Sequence, residues 1–307
     1  MLDLHRLRLL RELAHRGTLT AVAEALSYSP STVSQQLSQL ETEAGAVLLE
    51  HVGRRVRLTQ QAQILVAYTE RILEQLERAQ ADVAASAAEV AGVVRIAAFQ
   101  TAALTMLPTA ITTLAARHPH LRVHLTQAEP EQALPALLAR DFDLVIAEEY
   151  PDHPQPRPAE TDAQELLADP IRLAHPRALQ TRRNQSALTL LAKHPWVMEP
   201  AGSASRAWAI SVCRKAGFEP EIRYETTDLI LQLRLVEAGH AAAFLPDLIW
   251  NGRRPTVPTR PLPKIQAHRR IVTTVRRGHV SHPVIIALRT ALTELTRPPQ
   301  APSEGPA

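Results

Sequence analysis

The stretch Ser29-Pro-Ser-Thr-Val-Ser-Gln-Gln-Leu-Ser-Gln-Leu40 carries a helix start signal, one apolar stripe and one polar face. Ser29 is a good N-cap because its hydroxyl can take a free backbone N–H, and Pro30 suits the first helical position, where no N–H is missed. Val33, Leu37, Leu40 and Ala44 recur at helical spacing and are expected to pack inward, with Gly45 ending the helix. Ser31, Ser34, Gln35 and Ser38 then point outward. These side chains are short, uncharged and rich in donors and acceptors, as reading base edges in a major groove requires. Thr32 and Pro30 complete the turn nearest the bases.

Upstream, Leu4, Leu7, Leu10 and Leu13 put one apolar stripe on a first helix that Gly17 ends. Thr18 or Thr20 can cap a short second helix with Ala21, Ala25 and Leu26 facing inward, and Ser27-Tyr28 is the tight turn of a helix-turn-helix. Downstream, Val47–Leu49 and Val56–Leu58 flank Gly53-Arg54-Arg55, which predicts a small hairpin carrying Arg54, Arg55 and Arg57 toward phosphates. Residues 1–60 hold seven arginines (6, 8, 11, 16, 54, 55, 57) and six acids (3, 12, 24, 41, 43, 50), a net charge of +1. DNA affinity must therefore come from where the arginines stand and from two copies acting together.

These motifs, in this order, resemble the winged helix-turn-helix of LysR-type transcriptional regulators. The likeness rests on the leucine-rich first helix, on Gly17-Thr-Leu-Thr-Ala-Val-Ala-Glu-Ala-Leu26, on the Ser29 stretch, on Leu40-Glu-Thr-Glu-Ala-Gly45 and on Gly53-Arg-Arg-Val-Arg-Leu-Thr59. It implies double-stranded DNA as partner, with Thr18, Ser29, Pro30, Ser31, Thr32, Ser34, Gln35, Ser38, Arg54 and Arg55 as contact residues. The chain departs from the family at Gln35, where a basic residue is usual, at Leu49 for an aromatic and at Ala62 for a glycine. A glutamine amide suits adenine better than guanine.

A long helix over about 59–86, free of Gly and Pro, follows the hairpin. Ala62, Leu65, Thr69, Ile72, Leu76, Ala79 and Val83 step by threes and fours, which reads as a heptad seam. The resemblance implies that this helix pairs two subunits, giving a homodimer or a tetramer of two dimers on a pseudo-palindromic site.

From Gly92 the pattern becomes strand, helix, strand, helix, strand: Val93–Ala97, Ala103–Arg117, Leu121–Leu125, the helix of Leu134, Leu137 and Leu138, and Phe142–Ala147. That order predicts a parallel sheet covered by helices. The proline-rich Tyr150–Pro158 connects to a second such unit, with strands at Ile171–Ala174, Trp196–Glu199, Ile222–Thr226 and Ala241–Leu245. Helices are expected at Ser205–Ala216 and from Asp228 to Ala238. Arg270–Val275 and the helix near His282–Thr296 should return to the first unit. The expected class is α/β: a winged helix-turn-helix (1–58), a linker helix (59–89) and a two-subdomain effector domain built like a periplasmic binding protein (90–297). Subdomain I spans about 90–158 and 268–297, subdomain II about 159–267. Leu107-Pro108, His118-Pro119, Phe142–Val145 and Val236–Pro246 carry the resemblance here. A disordered tail is expected at 298–307, where prolines recur.

In open α/β sheets a ligand sits beyond the carboxyl ends of the strands, against helix N-termini. Gln100 and Thr101 occupy the first such turn; Pro200, Gly202 and Ser203 the second; Thr226 and Thr227 the third. Plain helix capping would use the same hydroxyls in the same geometry. Glu129, Glu148, Glu149 and Glu199 follow strands on this edge. If they line the cleft they favour an amine-bearing, amino-acid-like effector, with Arg206 for a carboxylate; otherwise they are solvated loop acids.

The chain of 307 residues carries a formal net charge of +3 and a pI near 9.3, room for several cores and little bulk charge. No run of 18 apolar residues occurs, and Met1-Leu-Asp-Leu-His5 lacks signal-peptide organisation, so a cytoplasmic protein without membrane contact is expected. The single Cys213 excludes an internal disulfide. Walker, G-x-G-x-x-G, G-x-S-x-G and H-E-x-x-H motifs are absent, and the thirteen histidines lack metal-ligand spacing. Neither an enzyme nor a cofactor or metal is expected. A periplasmic-type solute-binding protein without a DNA role is the alternative.

Overall fold

The computed structural model describes residues 1–52, 55–87, 89–154, 157–178, 187–262 and 268–296, with the backbone alone described for 51, 52, 55 and 187. Arg54 and the tail expected at 298–307 lie outside the described residues.

The N-terminal unit comprises α1 (Leu4–Arg16), α2 (Leu19–Leu26), α3 (Pro30–Ala44) and an antiparallel hairpin of β1 (Leu49–Val52) and β2 (Arg55–Leu58). Each helix starts on a side chain that accepts a backbone N–H three residues ahead: Asp3, Thr18 and Ser29. Left-handed residues stop them, with Gly45 (φ 64°) after α3 and, unusually for a side-chain-bearing residue, Ser27 (φ 57°) in the tight turn. Leu7, Leu9, Leu10, Leu13, Val33, Leu37 and Leu40 form one core with Val22 and Leu48. Two expected inward positions differ: Leu4 and Ala25 are exposed, and Val22 and Ala23 take the buried face of α2. That helix has only eight residues, so the turn at Ser27 sets its rotation more than its apolar pattern does.

Helix α4 (Gln60–Ala85) has two apolar faces where one seam was expected. Ala62, Thr69, Leu73, Glu77 and Ala81 are buried against the same chain, whereas Ile64, Tyr68, Ile72, Leu76 and Val83 stand exposed at steps of four and seven. The buried stripe includes a glutamate, which a hydrophobic pattern cannot register.

In the first effector lobe β3 (Gly92–Ala98) pairs in parallel with both β4 (Leu121–Gln127) and β5 (Leu144–Glu149). Helices α5 (Gln100–Thr105), α6 (Leu107–Arg117) and α7 (Pro130–Leu138) connect or cover them. The single helix expected over 103–117 is thus broken at Met106, ahead of Pro108, whose ring cannot donate to the ladder. Strand β6 (Thr161–Ala174) spans both lobes, longer than the expected Ile171–Ala174. Its first ten residues pair with the last strand of the chain; Ile171–Ala174 enter the second lobe. The changeover expected at 158/159 therefore falls inside β6. Its first half is a sheet edge, so Thr161, Asp162, Gln164 and Glu165 show no apolar alternation.

The second lobe adds α8 (Ala187–Leu190), β7 (Pro195–Met198), α9 (Ala204–Lys215), β8 (Glu221–Glu225), α10 (Leu229–Glu237), β9 (Ala243–Pro246) and β10 (Thr259–Pro261). β9 and β10 flank the end of β6, and β7 pairs in parallel with β8. The chain returns through β11 (His268–Arg276), set antiparallel between β5 and β6, and ends its described part with α11 (Pro283–Thr296). The β11 and β6 strands thus join the lobes, and the cleft lies beyond the carboxyl ends of β3, β4 and β5.

Candidate nucleic-acid interface and effector cleft

The polar side of α3 stands in solvent. Ser29, Pro30, Ser31, Ser34, Gln35 and Ser38 are exposed and Thr32 is half-buried, while Val33, Leu37 and Leu40 behind them are fully covered. Ser29 Oγ accepts the Thr32 N–H at 3.1 Å and lies 2.7 Å from Ser31 Oγ and 2.8 Å from Thr32 Oγ1. Thr18 is exposed and caps α2 through Ala21 N at 3.1 Å, so two helix N-termini present N–H groups beside small hydroxyls, suited to phosphate and base edges. Arg55 is in β2, and Arg57 is exposed but paired to Glu50 at 2.8 Å.

Three head arginines are held by acids and carbonyls within the molecule. Arg6 binds Glu43 at 2.5 Å and Gln36 at 3.0 Å. Arg11, only 1% exposed, binds Glu70 and Glu12, each at 2.7 Å, and the Leu138 carbonyl. Arg16 binds Glu12 and, with two nitrogens, Asp141 of the first effector lobe. The near-zero net charge of the head thus includes arginines spent inside the molecule.

The cleft centres on Arg269 of β11. Its guanidinium donates to Asp169 at 2.8 and 3.0 Å, to Thr101 Oγ1 at 2.7 Å and to Glu148, and it stacks 4.9 Å from the Phe99 ring centre. Burial works against this charge, but Glu148, Tyr150 and Asp169 outweigh it and raise the Arg269 pKa. Tyr150 donates its hydroxyl to Glu148 at 3.1 Å. Around them the acids are starved of water. Burial, then Glu148 and Glu131, pushes Glu129 up to about 7. Burial, then Glu148 and Glu129, pushes Glu199 up to about 8. Burial likewise raises Glu148 and Asp169. A positively charged group is the chemical complement of this floor.

The lobes touch across the cleft. Gln100 donates to Asp228 at 2.8 Å and accepts the Leu229 N–H at 2.7 Å, and Glu131 accepts the Ala204 N–H at the start of α9 at 3.0 Å. Ser203 caps α9 through Arg206 N at 3.2 Å, after Pro200 and Gly202 (φ 99°), both exposed. Thr226 accepts the Asp228 N–H at 3.0 Å, and Thr227 is exposed.

Gln100, Thr101, Glu129, Glu148 and the Ser203 turn therefore converge, and Glu148 and Glu199 are buried where solvated loop acids were the alternative. Two positions need correcting. Glu149 faces the opposite side of the sheet, bound to Arg157 and Arg270, because neighbours in a strand point apart. Arg206 is held by Glu225 at 2.5 Å; Arg269 is the buried cation instead. Sequence reasoning missed Arg269, Tyr150, Asp169 and Glu131. A signal existed for the first: Arg269 is in phase with the buried Ile271, Thr273 and Val275 of its strand. Cys213 is buried in α9 and burial pushes its thiol up to about 12, which leaves it unreactive.

A helix-turn-helix head with a hairpin wing, joined by a long helix to a two-lobed ligand-binding unit, defines a ligand-responsive DNA-binding regulator. The comparisons give the family. Residues 4–63 match the bacterial regulatory helix-turn-helix of the lysR family, and residues 87–297 match the LysR substrate binding domain. The HTH-type transcriptional regulator CysB of Burkholderia cenocepacia is 30% identical over 261 residues, covering 82% of this chain and 80% of that one. The transcriptional dual regulator GltC of Bacillus subtilis is 27% identical, covering 80% and 81%. Full-length OxyR from Pseudomonas aeruginosa shares the fold, with a TM-score of 0.68 at 18% identity over 95% of each chain. The chain belongs to the LysR family of transcriptional regulators. It binds DNA and carries an effector-binding domain, and the solute-binding alternative falls away. Among the described residues no helix is long and apolar enough to cross a membrane.

Proposed function

We propose that the protein is a cytoplasmic regulator that reads a pseudo-palindromic operator through Ser31, Ser34, Gln35 and Ser38 and answers an amine-bearing, amino-acid-like effector in the Arg269 cleft. The observation that carries the first half is the exposed hydroxyl-and-amide face of α3 over a fully buried aliphatic one. Thr18, Ser29, Pro30 and Thr32 position the helix ends on the backbone, and Arg54 and Arg55 reach phosphate or minor groove. Gln35 gives a preference for adenine. The exposed Ile64, Tyr68, Ile72, Leu76 and Val83 are the face that a second copy covers, bringing two heads onto one site.

In the cleft, Glu129 and Glu199 lack a basic partner among the described contacts and receive the ammonium. Thr101, Gln100 and the 200–203 and 226–227 turns fix the rest of the ligand. An effector acts here only by preferring one arrangement of the lobes.

Ser34→Ala and Gln35→Ala should each weaken operator binding by about 1–3 kcal/mol while leaving nonspecific DNA affinity and thermal stability in place. Genomic binding-site mapping followed by titration of the mapped operator measures this; unchanged operator affinity removes both residues from the readout. Calorimetry against amines, amino acids and aromatic acids tests the effector class. Tight binding of an anionic aromatic acid alone would overturn the amine reading.

A further inference from the structure

Helix α7 touches both the cleft and the DNA-binding head, one at each end. At its first turn Glu131 accepts the Ala204 N–H and so holds α9 of the second lobe. At its last turn the Leu138 carbonyl accepts from the buried Arg11 of α1, and Asp141, just beyond, takes the paired nitrogens of Arg16 at 2.7 and 3.2 Å. Nine residues of helix, about 14 Å, separate these ends.

The head contact is built to be breakable. Between α1 and the end of α7 it consists of one ion pair, Arg16 with Asp141, and one carbonyl contact, with Asp141 43% exposed. Beside it, a mostly apolar cavity of about 330 Å3 runs along α7 past His15, Pro130, Leu134, Leu138 and Pro158. Apolar packing that would weld α1 to α7 is missing along that flank. By contrast, α4 is docked firmly next door. Gly278 sits so close that a Cβ there would meet Glu74 O and Glu77 Cβ at 2.7 Å, and Glu77 takes Arg140 and Arg276. Arg140 holds a left-handed backbone (φ 67°) at the end of α7, a position that favours glycine. The head and the first turns of α4, joined through Glu70 and the shared core around Ala62, can therefore swing together away from α7 while the Glu77 end of α4 stays seated.

We propose that α7 is a rod coupling the cleft to the reading head: closed lobes, held through Glu131, favour the docked head, held through Arg11 and Arg16, and cleft opening releases it. This rests on the effector-cleft reading above and names how that site is regulated. Linkage makes the coupling reciprocal, so disturbing either end must be felt at the other. It also requires an effector that prefers open lobes to raise head mobility.

Amide hydrogen exchange of the full-length protein without effector tests this, using two variants at exposed positions. Asp141→Arg, which sets two cations face to face, should speed exchange of the Leu13–Arg16 amides about tenfold and that of Ala204 and its neighbours about two- to threefold. Glu131→Ala should do the reverse, with the larger effect at Ala204 and the smaller at α1. Changes confined to the mutated end in both variants would overturn the rod. Operator binding by the unmodified protein is measured alongside: its absence counts against the proposed function, whereas the exchange pattern alone judges the coupling.

Discussion

On α3 the polar groups stand in water, spaced and capped by one short stretch of chain. In the cleft they are buried, and Thr101 and Asp169 reach Arg269 from 168 and 100 residues away. The first arrangement spends part of its hydrogen-bonding capacity on the Ser29 cap and leaves Ser34, Gln35 and Ser38 facing solvent. The second has spent part of it internally, on the ion pairs of Arg269, and leaves Glu129 and Glu199 short of both water and a cation. An exposed polar face can thus be assembled from local rules with little energetic tension. A cluster of buried acids carries charge at a cost that only a cation in contact relieves.

The sharpest way to break that contrast is to remove the cation. Arg269→Met leaves Glu148 and Asp169 buried without their partner, and should destabilise the effector domain by about 3–5 kcal/mol in denaturant unfolding. The α3 reading face should keep its fold. If the head transition moves as far as that of the effector domain, the two regions are not energetically separate.

A milder test uses the acids themselves. Glu129 and Glu199 keep their protons to about pH 7 and 8 when folded, against a usual value of 4.5. Between those limits the folded state binds more protons than the unfolded one, so stability should fall as pH rises from about 4.5 to about 8 and then level off. Glu199→Gln should flatten that slope and stabilise the protein by on the order of 2 kcal/mol above pH 8. A thermal scan series showing the same slope with and without the substitution would remove Glu199 from the strained set. An amine ligand should bind more tightly as pH climbs through the same window.

The smallest expected effect lies in the head. Thr18→Ala removes the cap of α2 and should cost about 1 kcal/mol of stability. That loss should be independent of pH between 5 and 9, because the lost contact is a neutral hydroxyl to a backbone N–H. A pH-dependent loss would mean that the head, too, is tuned by buried charge.

The head was largely legible because its signals are local. Caps at Thr18 and Ser29, the stop at Gly45 and the buried Val33, Leu37 and Leu40 all lie within one turn or two of what they control. Legibility failed where position depended on a neighbour. Ala25 and Val22 exchanged roles because the rotation of α2 is fixed by the turn that follows. The α4 seam divided because half of it packs on Gly278 and on the arginines around Glu77, Arg140 and Arg276, which lie 63 and 199 residues away from it in the chain. Strand β6 ran ten residues further upstream than its apolar run because an edge strand needs no second apolar face.

In the cleft, sequence offered the turns and the acids but not their environment. Glu148 and Glu149 are indistinguishable as letters; alternation along β5 sends one to Arg269 and the other to Arg157 and Arg270. Periodicity, caps and charge are properties of adjacent residues, so the chain alone determined its helices, the exposed polar side of α3 and the two-lobed plan. Which carboxylates lose their water, which arginine answers them and which helix touches both lobes and head depend on strands brought together across the sheet. Only the tertiary structure could decide these, because desolvation and ion pairing act through space and not along the sequence.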